Sequence, residues 1–238
     1  MNPTVIHGDF LNVPQKQIGK IDLIIADPPD NIGLKYEDFD DNKSYKEYEQ
    51  SIYLWLDRMI NLTDGPIFFT FNQKWTQIVE NAIKNLDIRL VQRIQWYYTF
   101  GQDQTRIGRY ALCYRPIYWL NNPYVNTEKI KVPSARQTKY NDKRAAKGGK
   151  MPSNIWEFSR ICGNNNERRK WVPTQLPEAL VSRIILGHCV DNGRILDPFL
   201  GSGTTAIVSH KLGFDHVGIE ISSSTAIKTS NMLDVLCK

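Results

Sequence analysis

The chain has 238 residues, 41% of them hydrophobic and 11% aromatic, which is enough for a buried core and excludes a largely disordered protein. Its net charge of +5 is a mild basic bias that permits a polyanionic partner without requiring one. Four scattered cysteines (Cys113, Cys162, Cys189, Cys237) form no CxxC pair and argue against zinc, reading instead as reduced thiols of a cytoplasmic protein; no signal peptide and no membrane-spanning apolar run is visible.

In chain order, VIHGD (5–9) has strand character and ends on Asp9. IDLIIA (21–26) is short, apolar and bounded by turn chemistry, which suits a strand buried on both faces of a parallel sheet. It stops abruptly in Asp27-Pro28-Pro29-Asp30. In 44–62, Tyr48, Ile52, Trp55, Leu56 and Met59 recur at three- and four-residue spacing behind Ser44, an N-cap residue, and predict an amphipathic helix. PIFFTFN (66–72) predicts the next strand and WTQIVENAIKNL (75–86) the next helix. RLVQRIQWYY (89–98) and PIYWL (116–120) predict two more strands, with Trp96, Tyr97 and Tyr98 as core aromatics. This alternation implies an α/β fold with a mainly parallel sheet.

Periodicity fades between about 121 and 170. Residues 129–150 hold eight Lys or Arg against one Asp, a local +7. The stretch reads either as a solvated loop or as an insertion whose cations meet phosphates and release counterions. Arg168, Arg169 and Lys170 carry the same two readings. TQLPEALVSRIILGHCV (174–190) predicts a helix with Pro177 in its first turn. Residues 194–221 then read as strand, glycine turn, helix and strand. Gly201 and Gly203 let a ligand approach the backbone at a helix N-terminus. Glu220, 17 residues past Gly203, is placed to accept hydrogen bonds from ribose hydroxyls. Ala206 departs from the dinucleotide fingerprint, so the unit points to a nucleoside. His7, His188, His210 and His216 show no metal-ligand spacing.

DPFLGSGTT (197–205) followed by GIEI (218–221) resembles the S-adenosylmethionine site of amino-methylating (N6-adenine/N4-cytosine) DNA methyltransferases. PTQLPEAL (173–180) resembles the segment that closes over the cofactor there, HGDF (7–10) the segment whose acid meets the cofactor's adenine amine, and DPPD the catalytic D-P-P-Y. Their order matches the permuted beta arrangement of that family. The resemblance implies a Rossmann-like α/β methyltransferase fold with helices on both faces of the sheet. It implies one domain, with a catalytic half (1–120), a basic recognition insertion (about 121–170) and a cofactor half (171–238). Implied cofactor contacts are Asp9, Phe10, Asp197, Pro198, Phe199, Gly201, Ser202, Gly203, Thr204 and Glu220. Thr174 and Gln175 either meet the cofactor's amino-acid end or cap their helix, and Phe10 either packs on the adenine ring or is simply core.

Chemistry gives DPPD a purpose. An exocyclic base amine is a poor nucleophile that becomes tetrahedral and positively charged as it attacks a sulfonium methyl, so fixed acceptors accelerate transfer. Asp27 offers a carboxylate and Pro28 a carbonyl, while Pro28 and Pro29 hold the backbone extended. The target base must first leave the duplex stack. Asp30 stands where the family usually carries a stacking Tyr or Phe. Three accounts stay open: Tyr36, Phe39 or Tyr97 supplies the ring, which is favoured; Asp30 bonds the base; or the substrate is not ordinary duplex adenine. A starting aspartate favours adenine N6 over cytosine N4. RNA or a modified base, and a catalytically inactive binder, are the other readings. The expected partner is duplex DNA, met by Lys139, Lys143, Arg144, Lys147, Arg168 and Arg169. The resemblance also allows a homodimer and a restriction-modification setting.

Overall fold

A computed structural model describes residues 3–36, 38–144 and 147–236, with Thr99 and Gln102 described by their backbone alone; Cys237 lies outside the described residues. Its centre is one eight-stranded sheet: β1 (Thr4–His7), β2 (Leu23–Ala26), β3 (Pro66–Thr70), β4 (Leu90–Gln102), β5 (Leu112–Asn121), β6 (Ile155–Glu157), β7 (Arg194–Asp197) and β8 (Asp215–Glu220). The spatial order is β1-β8-β7-β2-β3-β5-β4-β6. β5 runs antiparallel to β3 and β4, and every other pairing is parallel, so the mainly parallel sheet carries one antiparallel hairpin. The helices are α1 (Gln15–Ile18), α2 (Tyr45–Leu62), α3 (Thr76–Asn85), α4 (Thr127–Ile130), α5 (Ala135–Thr138), α6 (Glu178–His188), α7 (Thr204–Leu212) and α8 (Ser223–Leu236).

β2 shows why the sheet is covered on both sides. Its side chains alternate: Ile24 and Ala26 pack with Ile52, Leu56 and Met59 of α2 and Ile78 and Val79 of α3. Leu23 and Ile25 pack on the other face with Val181, Ile184 and Ile185 of α6 and Val208 of α7. Each fully buried aliphatic side chain contributes about 1.5–3 kcal/mol, so the strand tolerates no polar residue until it leaves the sheet. α2 begins where Ser44 and Glu47 form a reciprocal capping box, each side chain accepting from the other's backbone N–H.

β2 and β7 are parallel neighbours, with Leu23 opposite Ile195 and Ile24 opposite Leu196. From β2 the chain proceeds through α2 to β3 on one side; from β7 it proceeds through α7 to β8 on the other. Connections diverging from two adjacent strands open a crevice at their carboxyl ends, where Asp27 and Asp197 emerge.

Two features depart from the expected layout. β1 pairs with β8, so the first strand lies beside 215–220 at the sheet edge and not beside the other strands of 1–120. Within 121–170, β6 joins the sheet beside β4 and buries Trp156; three residues are too few to display a strand period. Among its described residues, the basic stretch holds the end of one-turn helix α4, the one-turn helix α5 and a Val132–Lys150 bridge. Among the described residues, no helix is long and apolar enough to cross a membrane, and no cluster of His, Cys, Asp or Glu could hold a metal.

Candidate active site

A cavity of about 560 Å³ opens at the carboxyl ends of β2 and β7. Asp9, Phe10, Asp27, Pro29, Tyr36, Phe39, Thr174, Gln175, Asp197, Pro198, Phe199, Gly201, Ser202, Thr204 and Glu220 all line it. Pro28, Asp30, Gly203, Lys139, Lys143, Arg144, Lys147, Arg168 and Arg169 are not part of its lining.

On the β7–β8 side, Gly201 (φ 46°) and Gly203 (φ 75°) adopt the left-handed conformation, and a Cβ on Gly203 would lie 2.6 Å from the Thr229 methyl. Thr229 donates its hydroxyl to the Gly201 carbonyl at 2.7 Å, tying the turn to α8. Gly203 caps α7, whose N-terminal backbone faces the crevice side of the turn. Glu220 accepts the Gly201 N–H and the Ser222 N–H, both at 2.8 Å, which orients its carboxylate; burial nonetheless raises its pKa. Burial pushes Asp197 up to about 7, although it accepts the Phe199 N–H at 3.0 Å. Asp9 accepts from Leu11 N–H at 2.9 Å and Asn12 at 3.1 Å, so it shapes its own turn as well as the cavity wall. Phe10 is both wall and core, 2% exposed and edge-on to Phe199.

Gln175 lines the cavity, but its amide accepts the Arg169 N–H (2.9 Å) and donates to the Glu167 carbonyl (2.7 Å), fastening the loop before α6. Arg168 and Arg169 are half-buried and donate to main-chain carbonyls of Arg169, Pro173 and Glu167, so their guanidinium groups staple that same loop. Arg144 pairs with Asp142, while Lys139, Lys143 and Lys147 are exposed.

On the β2 side, the DPPD segment is gripped by distant side chains. Tyr48 of α2 donates to the Pro29 carbonyl (2.8 Å) and Trp75 donates its indole N–H to the Asp30 carbonyl (2.6 Å). Arg115, on β5, reaches both carboxylates: one guanidinium nitrogen meets Asp27 Oδ1 at 2.5 Å, the other meets Asp30 Oδ2 at 2.6 Å, and Nε donates to Thr70 Oγ1 at 2.9 Å. Asp27 Oδ2 has no partner among the described residues, nor does the Pro28 carbonyl. Burial raises the Asp27 pKa and Asp30 adds to the rise, while Arg115 opposes it. Burial alone would lower the pKa of Arg115, but the two carboxylates outweigh that and hold it well above its ordinary value.

Asp30 is 6% exposed and does not line the cavity; its Oδ2 is engaged by Arg115, and its Oδ1 is buried with no partner among the described residues. Tyr36 and Phe39 do line the cavity; Tyr97 does not. These two aromatics sit on a loop built around buried Asp41, which accepts the backbone N–H groups of Asn31 (2.7 Å), Ile32 (3.1 Å) and Leu34 (2.8 Å). Arg115, Trp75 and Asp41 are the site residues that sequence reading overlooked. The available signal for Arg115 was a lone cation at the head of the apolar PIYWL strand.

An α/β sheet whose switch-point cavity has a glycine turn and terminal acid on one wall and an acid–proline segment on the other defines a Rossmann-like methyltransferase. A family profile described as DNA methylase matches residues 21–229, and the chain belongs to that family. Among curated relatives, type II methyltransferase M.HpaI of Haemophilus parainfluenzae is 33% identical, over 90% of this chain and 68% of its own. DNA adenine methyltransferase YhdJ of Escherichia coli is 29% identical, over 98% of this chain and 83% of its own. Among solved structures, the M1.HpyAVI–SAM complex superposes with TM-score 0.63 at 20% identity, covering 97% of this chain and 98% of that one. The cytosine-N4-specific PvuII DNA methyltransferase superposes with TM-score 0.70 at 13% identity, covering 100% and 92%.

Proposed function

We propose that this protein transfers a methyl group from S-adenosylmethionine to the exocyclic amine of a base flipped out of duplex DNA, with adenine N6 as the target. One observation carries the reading: Asp27, whose Oδ2 has no partner among the described residues, lines a single cavity with Gly201, Ser202, Thr204 and Glu220.

The residues present fit the cofactor. Gly201, Ser202 and Thr204 of the turn are on the cavity wall, a Cβ on Gly203 would displace that turn by meeting Thr229 behind it, and the buried Trp171 indole N–H on the wall has no partner among the described residues. Glu220 would hold the ribose, Asp9 and Phe10 the adenine, and Asp197, Thr174 and the glycine turn the remainder. The cofactor supplies an activated methyl group. The chain supplies alignment and charge: Asp27 Oδ2 accepts one amine hydrogen, the Pro28 carbonyl accepts the other, and Tyr36 and Phe39 cover the base faces. The acceptors stabilise the cationic nitrogen as it forms, which needs no prior deprotonation.

The relative named as an adenine methyltransferase and the aspartate that opens DPPD support adenine. Cytosine N4 is the second reading, favoured by the fold likeness to the PvuII enzyme. In the same proposal, 1–120 and 171–238 form the catalytic and cofactor halves. The exposed Lys139, Lys143 and Lys147 track the duplex backbone with Arg144, the protein works in the cytoplasm beside a restriction partner, and it pairs as a homodimer. The test is incubation with tritiated S-adenosylmethionine and unmethylated DNA or RNA, followed by nuclease digestion and nucleoside mass spectrometry. N6-methyladenosine in DNA is expected; label confined to cytosine or to RNA selects another substrate, and no label with any polymer rejects the enzyme reading.

A further inference from the structure

The cluster of Asp27, Asp30 and Arg115 holds two carboxylates and one guanidinium, and only Asp27 reaches the cavity. Arg115 alone would have two opposing effects on Asp27. Bonding Oδ1 would fix the carboxylate and leave Oδ2 facing the substrate, but neutralising its charge would weaken the acceptor that a developing ammonium needs. A second carboxylate resolves the conflict. Asp30 occupies the other arm of the guanidinium, so the trio retains one net negative charge, and that charge is accessible only through Asp27. The frame is rigid: Thr70 holds the third guanidinium nitrogen, and Trp75 and Tyr48 hold the backbone on either side of Asp30's Cα and at Pro29.

We propose that Arg115 and Asp30 are positioning residues for methyl transfer, Arg115 setting the orientation of Asp27 and Asp30 restoring its charge. The inference deepens the proposed function and rests on Asp27 being the amine acceptor. The titratable and charged groups that sense Asp27 are Arg115 on β5, Asp30 on its own segment, Asp197 on β7, Tyr36 on the following loop, Tyr48 on α2 and Tyr98 on β4. The three tyrosines all have raised pKa values and stay neutral across the working range, so Asp30, Arg115 and Asp197 are the charges that matter.

Opposite shifts test this. The variants Asp30→Asn, Arg115→Gln and the double variant are assayed for single-turnover methylation across pH. The Asp27 carboxyl is titrated in parallel by ¹³C NMR in the cofactor-free protein, with Asp27→Asn identifying its resonance. Asp30→Asn lowers the plateau rate about tenfold while moving the acid limb and the Asp27 resonance down in pH. Arg115→Gln moves both up by about one pH unit or more, and the double variant brings them back toward wild type. Cofactor affinity by calorimetry stays within a few-fold in every case, which also reports folding. If Arg115→Gln does not fold, Asp30→Asn still reads the direction of its own shift. Arg115→Lys, which keeps the charge but loses the two-armed grip, should then lower the rate while leaving the acid limb and the Asp27 resonance near wild type; a rate equal to wild type would overturn the positioning role. Active wild type with coincident profiles in all variants, or shifts of the same sign, overturns this inference alone. Inactive wild type with the expected NMR shifts overturns the function and leaves the coupling standing.

Discussion

The two turns that frame the cavity are built by different means. The turn after β7 is held by its own neighbourhood: two glycines in the left-handed region, the Glu220 carboxylate 19 residues on and the Thr229 hydroxyl 28 residues on. The turn after β2 is held mainly from farther off, by Trp75 at a separation of 45 residues and Arg115 at 85 and 88, with Tyr48 at 19 its nearest anchor. The first turn is backbone shape adapted to a ligand; the second is charge fixed by tertiary structure. A nucleoside pocket needs room, whereas a catalytic acceptor needs aim, and the chain supplies each with the cheaper device for the purpose.

Substitutions separate the two walls. Asp27→Ala removes the acceptor and should cost about 10²–10³-fold or more in methyl transfer, with cofactor affinity within a few-fold. Radiolabel incorporation and calorimetry on the same preparation check it, and retained activity removes Asp27 from its role. Gly203→Ala should do the reverse, weakening cofactor binding by tens-fold and lowering stability by about 1–3 kcal/mol. The added Cβ meets Thr229 at 2.6 Å in a backbone conformation it disfavours. Adding Thr229→Ser, which keeps the hydroxyl and removes the methyl, should recover the steric part of that loss in a melting experiment.

A smaller effect is expected at the anchors. Trp75→Phe deletes the bond to the Asp30 carbonyl and should cost about 1–3 kcal/mol in a urea titration, because the carbonyl stays buried. Its activity loss should exceed its effect on cofactor affinity. The smallest effect lies on the β7–β8 side and is read by pH. His216, on β8, has both ring nitrogens buried without partners among the described residues, and burial followed by the nearby Arg194 charge lowers its pKa to about 3. Its folded pKa lies below the unfolded value near 6.5, so the stability it allows is intact above pH 6.5 and is lost as pH falls toward 3. Asp197, raised to about 7, acts with the opposite sign: its contribution is present below about pH 4 and lost as pH rises through 7. His216→Phe should therefore flatten the decline in urea midpoint between pH 6.5 and 5 relative to wild type, and an unchanged slope would show that this ring does not govern it.

The same contrast explains what could be read from sequence. The β7 turn and Glu220 lie in one stretch whose glycine spacing follows from local geometry, and α2 declares itself through Ser44, Glu47 and its apolar stripe. β6 and the β1–β8 pairing were not legible, because three residues carry no period and strand order is decided by packing between distant segments. Asp30 was visible only as an anomaly. Its meaning depends on Arg115, which no local pattern links to residue 30. For Gln175 the sequence leaves a cofactor contact and a helix cap open, and for Arg168 and Arg169 a phosphate contact and a solvated loop; the bonds by which all three fasten the loop before α6 join residues that no local pattern links.

The position of β2 has a consequence for biosynthesis. One of its neighbours, β3, follows within about 45 residues, but the other, β7, is joined through the Asp22–Arg194 bond across 172 residues. A nascent chain that has emerged only through β6 therefore carries its most apolar strand with one side unpaired, a state that favours slow maturation and capture by chaperones. The crevice needs β7, the glycine turn and β8, all in the last quarter of the polypeptide, so a product that stops before β7 lacks one of its walls.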